Sequence, residues 1–116
     1  MDDSTFPSLA LHWHEADIPV DGVHSKVMNA GEQQFVFMSF DEDVEVAPHA
    51  HKAQWGVVLD GEIELTIGEE TKTYRKGDTY EIRDGVVHSA KIKAGYRDLT
   101  LFDQADRYKI KIEAEK

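Results

Sequence analysis

Cysteine is missing altogether from this chain of 116 residues. Its absence removes disulfides, zinc-thiolate sites and thiol nucleophiles together, restricts metal ligands to histidine, carboxylate, amide and water, and suits a reducing cytoplasm. Long apolar runs are missing too: none approaches the ~20 residues that a membrane-spanning helix needs. The first residues, Met1-Asp2-Asp3-Ser4-Thr5-Phe6-Pro7, carry neither the basic start nor the apolar centre of a secretion signal, so the expected location is cytoplasmic. Basic residues are scarce. Thirteen Lys and Arg against 23 Asp and Glu leave a formal charge of −10, which argues against nucleic acid and anionic membrane as partners, since both are bound through clustered basic groups.

Helical periodicity is absent as well, and alternation takes its place. From about Gln34 onward short runs of apolar residues alternate with polar ones and are cut by glycine turns, so the chain reads as all-β, a sandwich or barrel. Gln34 to Phe40 and Trp55 to Leu59 are apolar strands; Asp60-Gly61 ends the second in a tight hairpin, because both residues tolerate positive φ. Ile63, Leu65 and Ile67 alternate with Glu62, Glu64 and Thr66, which predicts a strand with its glutamates in solvent. Thr71 to Arg75 is expected to pair back on it, setting Lys72 and Arg75 near those glutamates. Tyr80 and Ile82 alternate with Thr79, Glu81 and Arg83 in a strand from Asp78 to Arg83, and face the interior. A last strand is predicted over Arg107 to Ile112, with Tyr108, Ile110 and Ile112 on one face. The length fits one domain, residues 1–116, irregular over 1–33 with a strand candidate at Leu11 to Glu15, and barrel-forming over 34–112.

Three histidines carry the chemistry. His49 and His51 stand two apart, and on a strand such residues share a face and can reach one ion together. His88 follows the Asp78 to Arg83 strand and an Asp84-Gly85 turn, where a second segment could return a third imidazole to the same spot. Neutral imidazole is the commonest protein ligand for first-row divalent metals. A His-x-His step taken alone is more often two exposed rings or one hydrogen-bonding core residue. This chain contains such a decoy: His12-Trp13-His14-Glu15 repeats the spacing but no third ligand follows it, so Trp13 is expected to pack inward and leave both rings outside. His24 is read as a loop or surface residue.

Context changes the weight of the first step. The segment His49-Ala50-His51-Lys52-Ala53-Gln54-Trp55-Gly56-Val57-Val58-Leu59-Asp60-Gly61, followed by Gly77-Asp78-Thr79-Tyr80-Glu81-Ile82-Arg83-Asp84-Gly85-Val86-Val87-His88, resembles the paired motifs of the cupin superfamily. The resemblance runs from about Asp43 to Ile92 and is closest to small single-domain microbial members. It implies an antiparallel double-stranded β-helix, the jelly-roll cupin barrel, holding one divalent transition metal ion (Fe, Mn, Ni, Cu or Zn) on His49, His51 and His88. Gln54 stands where the family has a glutamate. As a ligand it would leave the ion its full positive charge; outside the ligand set it would hydrogen-bond metal-bound water, and in neither place can an amide act as a base. Asp43 for glycine, Arg83 for proline, Ile92 for asparagine and a His51 to Gln54 gap one residue short are further departures, the last requiring a sharp turn at Lys52-Ala53. The resemblance also implies a small-molecule partner and a homodimer. Alternation turns Tyr80 and Ile82 toward a pocket, Trp55 either lines it or joins the outer sheet packing, and Arg83 near the mouth could meet an anionic ligand. The expected function is a metal-dependent enzyme, dioxygenase-like before isomerase-like, on an anionic or enolic substrate. The competing reading is a non-catalytic barrel that binds a metal or metabolite.

Overall fold

The computed structural model describes residues 6–111, which form nine strands after one short 3-10 turn at Ser8–Ala10. These are β1 (Val23–Ala30), β2 (Gln33–Phe40), β3 (Val44–His49), β4 (Gln54–Asp60), β5 (Glu62–Ile67), β6 (Glu70–Arg75), β7 (Thr79–Ile82), β8 (His88–Ile92) and β9 (Arg97–Phe102). All their pairings are antiparallel, in a five-stranded sheet ordered β1-β2-β9-β4-β7 and a four-stranded sheet ordered β3-β8-β5-β6. The fold is the expected all-β jelly-roll barrel. No helix among the described residues is long and apolar enough to cross a membrane.

Period-two burial drives the two sheets together, since each presents its alternate apolar residues to the other. Phe40, Val58, Tyr80 and Ile82 from the larger sheet meet Ile63, Leu65 and Ile92 from the smaller in one core, and Glu64 stays in solvent. Each fully buried aliphatic side chain contributes roughly 1.5–3 kcal/mol. Between β4 and β5, Gly61 sits at φ 72°, and a Cβ there would lie 2.8 Å from the Tyr96 Cα. Opposite Glu62 lies Arg75, 3.5 Å away as an ion pair, whereas Lys72 faces Leu65 and sets its ammonium 5.1 Å from the Tyr74 ring centre.

Three local expectations need correcting. Strand β1 lies inside the stretch read as irregular, because its inward row Val23, Ser25, Val27 is interrupted by a serine; that hydroxyl is buried and accepts the Ala16 N–H at 2.9 Å. Leu11 to Glu15 is a turn, closed by Trp13 N–H on Ala10 O and touching β1 through one His14 to Val27 bridge. Arg107 to Ile112 forms no strand over its described part, only a bridge between Ala16 and Ile110; Ile112 itself lies outside the described residues. The backbone of that segment is taken by a side chain instead. Buried Gln34 accepts the Tyr108 N–H at 3.0 Å and donates to Tyr108 O and Ala105 O at 2.9 and 3.1 Å. Tyr108 and Ile110 still pack inward, against Val27, Val36 and Phe102.

Candidate metal centre

Val44 and Val46 point inward from β3, and strict alternation would send His49 outward. A bulge between Val46 and His49, with Ala47 and Pro48 exposed, breaks the alternation and turns the imidazole into the barrel. Strand β3 ends there. His51 therefore lies beyond it, in the link to β4, and shared strand face is not what places it. Cross-links do: the Gly85 N–H donates to His51 O at 2.9 Å, the Lys52 N–H to Gln104 Oε1 at 3.1 Å and the Asp103 N–H to Ala53 O at 2.9 Å. The chain bends at Lys52 and enters β4 at Gln54, in register with Ile82 and Phe102. His88 opens β8 opposite His49 and Ile67 and is 4% exposed.

The three rings converge. Their centres lie 4.2 Å (His49 to His88), 4.7 Å (His51 to His88) and 5.2 Å (His49 to His51) apart, and one nitrogen from each falls within 4.8 Å of the others. Every Nδ1 sits against a backbone carbonyl, His49 on Ala47 at 2.9 Å, His51 on Lys52 at 2.7 Å and His88 on Val86 at 2.9 Å. A carbonyl can only accept, so each Nδ1 carries the hydrogen, which leaves Nε2 as the nitrogen each ring can offer an ion. Burial lowers the His51 pKa to about 4, partly opposed by the Lys52 carbonyl and helped by Arg107 and the neighbouring imidazoles. His88 is lowered too, again chiefly by burial. The Nε2 atoms of His51 and His88 thus face one another at 3.2 Å as two lone pairs, an arrangement suited to a shared cation. Three neutral nitrogen donors fit a divalent first-row metal.

A cavity of about 250 Å³ opens beside the cluster, lined by all three histidines, Gln54, Tyr80, Ile82 and a number of aliphatic residues. Trp55 and Arg83, expected at this pocket, line no part of it. Trp55 is 41% exposed because its neighbour Gln54 faces inward and strand residues alternate; Arg83 is exposed just past the end of β7. The cation in the cavity is Arg107. Its guanidinium lies 4.3 Å from the Tyr108 ring centre and 5.6 Å from that of Phe102, and its Nε is buried without a hydrogen-bond partner among the described residues. Gln34 holds it there through the flanking Ala105 and Tyr108 backbone. The Arg107-Tyr108 dipeptide was the only trace in the sequence, and no spacing rule singles it out. His12 and His14 are exposed with Trp13 stacked 5.4 Å from Phe37, and His24 pairs with Asp41 at 2.8 Å, so neither joins the site.

An antiparallel jelly-roll with three inward imidazoles on an internal cavity defines a class, a barrel with a candidate metal site. The cupin domain family model matches residues 36–102, and the chain belongs to the cupin family. Among solved structures it is similar to an RmlC-like cupin from Shewanella frigidimarina NCIMB 400, with 23% identity over 83% of this chain and 92% of that one and a TM-score of 0.70. KdgF from Halomonas sp. gives 22% identity, 77% and 84% coverage and a TM-score of 0.67. A variant of oxalate decarboxylase from Bacillus subtilis gives 20% identity and a TM-score of 0.70 over 84% of this chain and 29% of that one. At such identities the likeness shows the fold. No curated protein matches the chain.

Proposed function

We propose that this cupin is a metal-dependent enzyme for a small substrate that offers an anionic or enolic oxygen. The observation that carries the reading is the pairing, in one cavity, of three convergent Nε2 donors with the Arg107 guanidinium. His49, His51 and His88 would hold the ion, one of Fe, Mn, Ni, Cu or Zn, with the amide oxygen of Gln54 as a fourth donor. A divalent ion bound there supplies Lewis-acid polarisation of the substrate oxygen. Arg107 orients the anion by charge and, stacked on Tyr108, loses little freedom in doing so. Gln54 adds no negative charge to repel it and takes no proton from it. The name of one structural neighbour, oxalate decarboxylase, describes a small anionic substrate, which agrees with this reading. Dioxygenase-type chemistry ranks ahead of isomerase-type.

Metal-reconstituted protein should be screened against enolic and carboxylate metabolites for O₂ uptake and for proton exchange with solvent, beside His51→Ala and Arg107→Met. Turnover that falls in both variants is expected. Tight binding without turnover in all five metal forms would support a sensing barrel instead. We also propose a homodimer, formed on the outer face of the larger sheet. There Phe35, Leu101 and Trp55 lie in one register row and Phe37, Leu99 and Val57 in the next. Over β2, β9 and β4 these two rows are uncharged, and the charges that end them, Glu81 on β7 and Lys26 on β1, are of opposite sign.

A further inference from the structure

Asp98 is the one carboxylate among the described residues that lines the cavity, four residues along β9 from Phe102 and so roughly 13 Å of strand from the residue that touches His51. It is buried, and two tyrosine hydroxyls donate to the same oxygen: Tyr96 to Oδ2 at 2.8 Å and Tyr80 to Oδ2 at 3.3 Å. Its other oxygen, Oδ1, is buried with no partner among the described residues. The arrangement is built rather than incidental. Tyr80 reaches Asp98 by lying on Gly56, where an added Cβ would come within 2.4 Å of its ring. Tyr96 is fully buried, its ring tilted at 52° against that of Phe40 with centres 5.7 Å apart. The register partners of Asp98 are Met38 and Val58, neither of which has a donor to offer Oδ1.

Native proteins almost never leave a buried polar atom without a partner, because the lost hydration costs about 1–3 kcal/mol. A carboxyl needed only to tie two tyrosines would use both oxygens. We propose that Asp98 is a specificity-determining residue: Oδ1 accepts a hydrogen bond from a hydroxyl or ammonium group at the end of the ligand remote from the imidazole cluster. The ligand is then bifunctional, an oxygen anion at one end, a donor at the other and a short apolar middle against the aliphatic lining. This rests on the cavity being the substrate site, as proposed above, but its test separates the two ideas.

At pH 8.5, where the carboxyl is ionised, binding of 5-hydroxypentanoate, 5-aminopentanoate and plain pentanoate would be measured calorimetrically on zinc-loaded and metal-free protein, with 5-oxohexanoate as an acceptor-ended probe. Wild-type protein should prefer one of the two donor-ended acids to pentanoate by about tenfold, since a site built to pair a hydroxyl or amine rejects the analogue lacking it. Asp98→Leu should abolish that preference. Asp98→Asn keeps an oxygen for the tyrosines and turns an NH₂ to the cavity, so it should reverse the preference toward 5-oxohexanoate; a merely structural carboxyl would leave the ranking unmoved. If the discrimination follows Asp98 while affinity ignores zinc and Arg107→Met, the Asp98 assignment stands and the metal-anion reading falls. Discrimination that survives in both folded Asp98 variants, or wild-type protein that binds none of the probes or does not distinguish them, overturns the assignment.

Discussion

As a ligand, Gln54 would leave a bound ion its full charge. It lines the cavity beside the three imidazoles, and a carboxylate in its place would offset one charge of a divalent ion. Gln54→Glu is therefore expected to bind divalent metal more tightly, on the order of tenfold or more. Equal affinities in a competition titration at neutral pH would place Gln54 outside the ligand set. Asp98 sets a second expectation, in pH. Burial raises its pKa to about 7, partly opposed by the two tyrosine hydroxyls, against 3.8 for the ordinary group. Its folded form holds the proton more tightly than the unfolded form, so stability falls as pH rises through this window. His51, lowered to about 4, runs the other way and costs stability as pH falls from 6.5 toward that value, and His88, lowered too, acts in the same direction. In chelator-treated protein, the melting temperature of wild type relative to Asp98→Asn should drop steadily between about pH 4 and pH 7. A difference independent of pH would contradict a raised Asp98 pKa.

At the scale of elements, the hairpin between β4 and β5 depends on one residue. Gly61→Ala must adopt positive φ and push its Cβ against the Tyr96 backbone, so a loss of about 2–4 kcal/mol is expected in chemical denaturation. A loss below about 0.5 kcal/mol would mean that β9 and its approach can shift at little cost. Strands β2, β4, β5 and β7 were legible because their alternation survives nearly intact, and Tyr80 and Ile82 faced inward as their parity required. The pairing of His49, His51 and His88 was legible from spacing. Its cause was not: the bulge in β3 and the cross-linked turn after it leave no period to read. Arg107 was illegible for a related reason, since a side chain, Gln34, supplies the hydrogen bonds that a ladder would otherwise have announced. Arg83 looked better placed only because it sits beside a motif.

The whole molecule is acidic, and the outer face of the larger sheet carries exposed apolar side chains, with Trp55 41% and Leu59 37% exposed. Sedimentation of the wild-type protein should show a dimer, and Trp55→Glu a monomer with its melting curve little changed. A wild-type monomer at tens of micromolar would refute the proposed interface. Residues 15–17 and 109–111 meet on the opposite side of that sheet, where Asp17 N–H bonds Lys109 O and Lys111 N–H bonds Glu15 O, each at 2.7 Å. They bring Ile18, Val20, Arg107 and Tyr108 to the cavity wall, while every imidazole of the cluster comes from residues 49–88. The candidate metal ligands and this part of the cavity wall thus come from separate stretches of the sequence. Exchanging the outer stretches between related barrels would swap what the cavity admits and leave the ion's ligands untouched, a route by which one scaffold can acquire new substrates without rebuilding its centre.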